Sequence, residues 1–100
     1  MAEKVVVYWR DIPAQVIVKA GRKLAKRQLA ERFEEAIDRA AMRAKLTGTD
    51  AYLEQWRRAN PVPCGDDLEA EASAAAESLE AEFTAERLRE LVANGGIASA

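Results

Sequence analysis

A chain of 100 residues and 11.0 kDa is one small domain by the usual scale of about 100–150 residues, which excludes two independent cores. Of its 49 apolar residues 21 are alanine, and it has no histidine and one cysteine; this predicts a thin core and excludes Ser-His-Asp and Cys-His catalysis, histidine-ligated zinc and any internal disulfide. The net charge of −2 hides a split, with 13 Lys/Arg against 8 Asp/Glu in residues 1–58 and 2 against 9 in residues 59–100, so a basic surface beside an acidic region is expected rather than a uniformly charged chain.

The opening Met1-Ala2-Glu3-Lys4 carries an acid, and the apolar run behind it, Val5 to Trp9, is shorter than the roughly 7–15 residues of a secretory core. No signal peptide is expected. No uncharged stretch nears the ~20 apolar residues of a membrane span. The expected location is therefore cytoplasmic, with no membrane contact and Cys64 reduced.

Val5-Val6-Val7-Tyr8-Trp9 and Val16-Ile17-Val18 are β-branched and aromatic, and read as two strands of a hairpin. The connecting Asp11-Ile12-Pro13-Ala14 is longer than a two-residue turn and contains a proline, so the register stays open. Alternation puts Val5, Val7 and Trp9 on one face and Val6, Tyr8 and Arg10 on the other. Gly21 breaks the second strand. From Arg22 to about Leu46 the recurrence of Ala25, Leu29, Phe33, Ala36, Ile37, Ala40 and Ala44 at steps of three and four predicts one long helix. Arg27 with Glu31, and Glu35 with Arg39, stand four apart on its exposed side. Thr47-Gly48-Thr49-Asp50 is expected to end it.

Ala51 to Arg57 alternates as a third strand would, although Asp50 equally suits the cap of a short helix carrying Leu53 and Trp56. A third strand makes the hairpin more stable, so it is the preferred reading. Asn60-Pro61-Val62-Pro63-Cys64-Gly65 reads as a stiff connector. Asp66 or Asp67 then caps a helix with Leu68, Ala72, Ala75, Leu79 and Phe83 as its apolar stripe. Thr84 caps a last helix, with Phe83 placed to pack on Leu88, and Asn94-Gly95-Gly96 stops it; Ile97 to Ala100 is expected to fray.

Among candidate sites, Arg22, Lys23, Lys26 and Arg27 crowd the expected start of the first helix, where the dipole is already positive. They form a candidate anion or nucleic-acid patch, with Gly21 supplying free backbone N–H groups, and Arg32, Arg39 and Arg43 could extend it. A solvated face, or pairing with the acidic second half, is the plainer reading. Tyr8, Trp9, Tyr52 and Trp56 could stack on bases, but a domain this poor in large side chains needs them in its core. Cys64 near a helix start is opposed as a thiolate by Asp66 and Asp67, and no metal site or acid/base pair in a deep cleft is visible. Neither catalysis nor a cofactor is expected. The long acidic region from Asp66 to Glu90 is expected to pack on this domain itself.

The string Val7-Tyr8-Trp9-Arg10-Asp11-Ile12-Pro13-Ala14-Gln15-Val16-Ile17-Val18, followed by Arg32-Phe33-Glu34 with Ala36-Ile37-Asp38 and by Asp50-Ala51-Tyr52-Leu53-Glu54-Gln55-Trp56-Arg57, resembles the bacterial family of small "virulence factor" domains over about residues 4–92. The family's label comes from genetics and specifies no chemistry. Longer members join this domain to a region similar to iron–sulfur scaffold proteins and to HEAT-type repeats, which implies scaffolding or assembly. The genomic company of stand-alone members hints at an accessory role in folate- or corrinoid-dependent one-carbon metabolism. The resemblance supplies no catalytic residues. It singles out Trp9, Arg10, Asp11, Ile12, Pro13 and Gln15, with Tyr52, Trp56 and Arg57. Two readings of the loop stand side by side. Either Arg10 binds Asp11 or a helix end and Gln15 closes the loop, or Trp9, Arg10, Asp11, Pro13, Gln15 and Arg57 face a partner.

The expectation is thus a single α+β domain over residues 1–100, ordered over about 4–94, with a small antiparallel sheet covered by helices. Its order is ββαβα, with the last helix broken near Thr84. Its expected role is that of a non-catalytic adaptor with a protein partner; nucleic acid is the alternative partner, and the oligomeric state is left open.

Overall fold

Residues 2–46, 48 and 50–98 are described in the structure, a computed structural model. The β-branched run near the start forms strand β1 (Ala2–Trp9), which pairs antiparallel with β2 (Ile12–Ala20). Their turn is only two residues, Arg10 and Asp11, tighter than the expected loop, and Arg10 adopts the left-handed conformation at φ 53°. The register slips between Val7 and Tyr8: Val7 faces Gln15 and Tyr8 faces Pro13, leaving Ala14 as the extra residue of a bulge. Pro13 therefore sits in a strand because the bulge beside it relieves the ladder.

The largest departure from expectation is at residues 22–30. Instead of opening a helix, Lys23–Gln28 forms strand β3, joined to β2 by a turn at Gly21 (φ 60°) and paired through Ala20↔Lys23, Val18↔Ala25 and Gln15↔Gln28. Only Ala25 of β3 is buried. Ala25 and Leu29 match a helical stripe in spacing, but the pairing edge offered by β2 wins over the weak local preference. Helix α1 (Glu31–Arg43) begins eight residues later than Lys23 and buries Phe33, Ala36, Ile37, Ala40 and Ala41. Its N-cap, Ala30, has no capping side chain of its own. A distant residue stands in, since the Ala30 N–H donates to Glu80 Oε2 at 3.0 Å and Arg32 donates to the Glu80 carbonyl at 2.9 Å.

Helix α1 ends at Arg43, with Lys45 left-handed at φ 61° and the Leu46 N–H donating to the Ala41 carbonyl at 2.9 Å. This is a Schellman closure with lysine where glycine is usual. The expected stop farther on falls partly on Thr47 and Thr49, which lie outside the described residues. Residues 51–57 combine both sequence readings: α2 (Asp50–Glu54) is a short helix, and β4 (Trp56–Arg58) follows it and pairs with β1 beyond Trp9↔Trp56. The presumed connector is also a strand, β5 (Val62–Cys64), paired with the start of β1 through Lys4↔Val62 and Ala2↔Cys64. Its one proline, Pro63, is tolerated because the strand is short and marginal to the sheet.

Helix α3 (Leu68–Glu82) is capped by Asp67, whose carboxylate accepts from the Ala70 N–H at 3.2 Å. Thr84 caps α4 (Ala85–Ala93) by accepting from the Arg87 N–H at 3.2 Å, and Phe83 and Leu88 are both buried beside it. The fold is α+β, a small antiparallel sheet of order β3-β2-β1-β4 with β5 also on β1. Helix α3 lies across β2 and β3, so the acidic half of the chain packs on the basic half. That sheet face contributes Val16, Val18 and Ala25 to the core, with Phe33, Ala72, Phe83 and Leu91 from the helices. Val5 and Ile17, paired across β1 and β2, point to the other face.

Candidate functional site

The hairpin tip gathers residues from three separate stretches of chain. Trp9 is wholly buried, and its indole N–H donates to the Tyr52 carbonyl at 3.0 Å. Arg10 donates from Nε to Gln55 Oε1 and from a terminal nitrogen to the Gly95 carbonyl, both at 3.0 Å. The latter contact lies at the C-terminus of α4, where a cation meets the negative end of the helix dipole. Asp11 donates its N–H to the Gly96 carbonyl at 2.8 Å, while its carboxylate accepts from the Ala98 N–H at 2.6 Å and pairs with Arg57 at 3.3 Å. Arg57 also donates to the Arg10 carbonyl at 3.0 Å and lies 4.5 Å over the Tyr8 ring.

These contacts give the tip a structural role: Arg10 takes a helix end as its partner, and Asp11 clips the chain after that helix. Trp9 and Pro13 are fully buried, and the exposed members of the group are Arg57 and Asp11, whose side chains are 50% and 37% accessible. Gln15 is separate from the tip. It faces Gln28 across the strands.

The four cations do not form a helix-start cradle, because they lie in a turn and on a strand. Register divides them further. Arg27, opposite Val16, reaches Ser73 of α3, whereas Lys26, opposite Ile17, points to the other face. Lys23 and Lys26 are exposed on an edge strand, a placement that also discourages pairing with another chain. Arg32 and Arg39 are separate again and flank a groove of about 250 Å³ between α1 and α4 with Arg89.

A cleft of about 240 Å³ opens beside the tip, where Gln15 and Gln28 of the sheet meet Glu34 and Asp38 of α1 and the rings of Tyr52 and Trp56. The two rings are 6.3 Å apart at 86°, and Tyr52 lies 5.6 Å from Trp9 on its other side. Burial pushes the Tyr52 phenol above its ordinary pKa, the Asp38 and Glu34 charges push it further, and a hydrogen bond from Trp56 opposes them. Both carboxylates thus act on the phenol. Sequence reasoning missed Glu34 and Asp38, yet two like charges four apart on a helix are mutually unfavourable and could have marked them.

Cys64 is half-buried, and burial together with Glu71 raises its thiol above the usual range, against the influence of Lys4. Among the described residues no three His, Cys, Asp or Glu side chains gather as metal ligands, and no helix is long and apolar enough to cross a membrane.

The family model described as "Virulence factor" matches residues 7–92. No curated protein and no solved structure matches the chain.

Proposed function

We propose that this chain, which belongs to the virulence factor family, is a non-catalytic interaction domain that docks an acidic protein surface on the open face of its sheet. The observation that carries the reading is the composition of that face. Val5 and Ile17 lie at its centre, each only 5% exposed, with Val7 half-buried beside them, and Leu24, at 54% exposure toward its edge, is the apolar side chain most open to a partner. Around them stand the exposed cations Lys19, Lys26 and Arg58, which register places on the same side, with one exposed carboxylate, Glu3, opposite Lys19. An exposed Leu24 beside a mostly basic surface has the layout of the edge of a protein interface, and the cations select a partner of opposite sign.

Nucleic acid would use the same cations but would also want aromatic faces for stacking. The centre of this face is aliphatic instead, which favours a protein. An accessory role in one-carbon metabolism would be one instance of such an interaction, defined by the partner.

The test compares the wild type with Leu24→Asp and with the double variant Lys26→Glu/Arg58→Glu, all surface changes, in co-purification from the native cytosol with and without nuclease. A stoichiometric acidic protein that survives nuclease and is lost with both variants, at unchanged melting temperature, is expected. Capture abolished by nuclease, with affinity falling steeply as salt rises, would replace the protein partner by nucleic acid. Equal capture by all three chains would remove the sheet face from consideration.

A further inference from the structure

We infer that the cleft between α1 and the β-sheet is a binding site for a guanidinium group, held by Glu34 and Asp38 against the rings of Tyr52 and Trp56. This goes beyond the docking of an acidic surface and does not depend on it, because the charge required of the ligand is opposite.

The argument begins with shape. At about 240 Å³ the cleft is too small for a folded segment and suits one side chain or a small amine. Its floor is apolar, formed by Leu29 and Ile37, both buried, and its rim is polar. Such a combination orients a ligand with an apolar stem and a polar head.

Charge sets the sign of the head. Glu34 and Asp38 project from successive turns of α1, and both influence the phenol of Tyr52, so their field reaches into the cleft. No cationic side chain lines it among the described residues. A ligand cation would neutralise two carboxylates that otherwise repel each other.

The rings and amides choose among cations. Tyr52 and Trp56 meet nearly at right angles, so a planar cation can stack on one ring while its edge meets the other. Gln15 and Gln28 add carbonyl acceptors. A guanidinium offers five N–H donors in one plane and is only weakly hydrated, which suits carboxylates, amides and rings together; an ammonium offers three donors and is costlier to strip of water. The group can come from an arginine side chain of a protein or from a free alkylguanidine.

The chain's two tryptophans provide the readout, since Trp56 lines the cleft while Trp9 is buried, with its indole N–H on the Tyr52 carbonyl. Full-length 15N-labelled protein is titrated with N-acetyl-arginine amide, with the neutral N-acetyl-citrulline amide, with agmatine and with butylamine, following both indole N–H resonances. The Trp56 resonance should move saturably with the two guanidines, about tenfold more weakly with butylamine, and hardly with the citrulline compound. Glu34→Gln/Asp38→Asn, both exposed positions, should lower affinity at least about tenfold while the Trp9 resonance and the melting temperature stay put. An acetyl-Gly-Arg-Gly amide that binds more tightly than agmatine would identify a protein side chain as the source; agmatine as the tighter ligand would identify a free guanidine. Equal binding of citrulline and arginine, unchanged affinity in the double variant, or shifts that never saturate would each overturn the assignment.

Discussion

Gly96 shows how one residue can hold the fold together. Its φ is 93°, and a Cβ there would stand 2.8 Å from Cζ3 of Trp9 and 3.5 Å from the Ala40 Cβ. Trp9 is fully enclosed and tied to Tyr52, so it cannot step aside. Gly96→Ala therefore combines overpacking with an unfavourable backbone, and should cost about 2–4 kcal/mol in urea unfolding; a loss below about 1 kcal/mol would mean that the junction is slack. Tyr52 makes a different prediction. Because its folded-state pKa is raised, the protein gains stability that is fully present below the unfolded phenol's value near 10 and is lost as pH rises through the folded value. Between about pH 8 and 11 the urea midpoint of the wild type should fall more steeply than that of Tyr52→Phe. Parallel curves would show that the phenol's surroundings are the same in both states. The partners of Arg10 were only partly legible: the residue types suggested a helix end, but nothing local could say that the end belongs to α4, 85 residues away at Gly95.

At the scale of elements, the ends of helices were read well where a side chain provides the cap and poorly where the backbone or a distant group does. Asp67 and Thr84 bond to N–H groups three residues on, so their signal is local. Helix α1 has no such signal at either end. Its start is bonded by Glu80 and its stop uses a left-handed Lys45. That stop is a natural place for stabilisation: Lys45→Gly removes a strained conformation and should raise stability by about 0.5–1 kcal/mol, or a few degrees in melting temperature. A decrease would imply that the lysine side chain makes a contact worth more than the strain. Strand β3 is the complementary case. Its residues, Lys-Leu-Ala-Lys-Arg-Gln, suit a helix in isolation, and only the hydrogen-bonding edge of β2 makes them a strand.

For the whole molecule, the two ends of the chain are mutually dependent. Residues 95–98 accept from or donate to Arg10 and Asp11 three times over, while the Gly95 and Gly96 N–H groups close α4 on Val92 and Leu91. Truncation after Ala93 should thus remove the hairpin's anchor and the helix cap together, costing about 3 kcal/mol by circular dichroism in urea. For a domain of this size that is a large share of the total. An unchanged midpoint would reduce the tail to decoration. The charge split is also resolved at this scale, since α3 lies over β2 and β3 and Arg27 reaches Ser73; the acidic region serves its own sheet first.

Composition and periodicity determined the α+β class, the first hairpin, the break at Thr84, the Gly95–Gly96 stop and most of the buried stripe, because each depends on neighbours within a few residues. The short distance between Asp50 and Arg57 also held both of the structures read for it, a helix and a strand in succession. Tertiary structure alone decided that Lys23–Gln28 and Val62–Cys64 are strands, that the basic stretch is divided between two faces, and that Glu34 and Asp38 meet Tyr52 and Trp56 in one cleft. A strand's hydrogen bonds and a cleft's walls come from partners far along the chain, and no local preference of order 1 kcal/mol outweighs them.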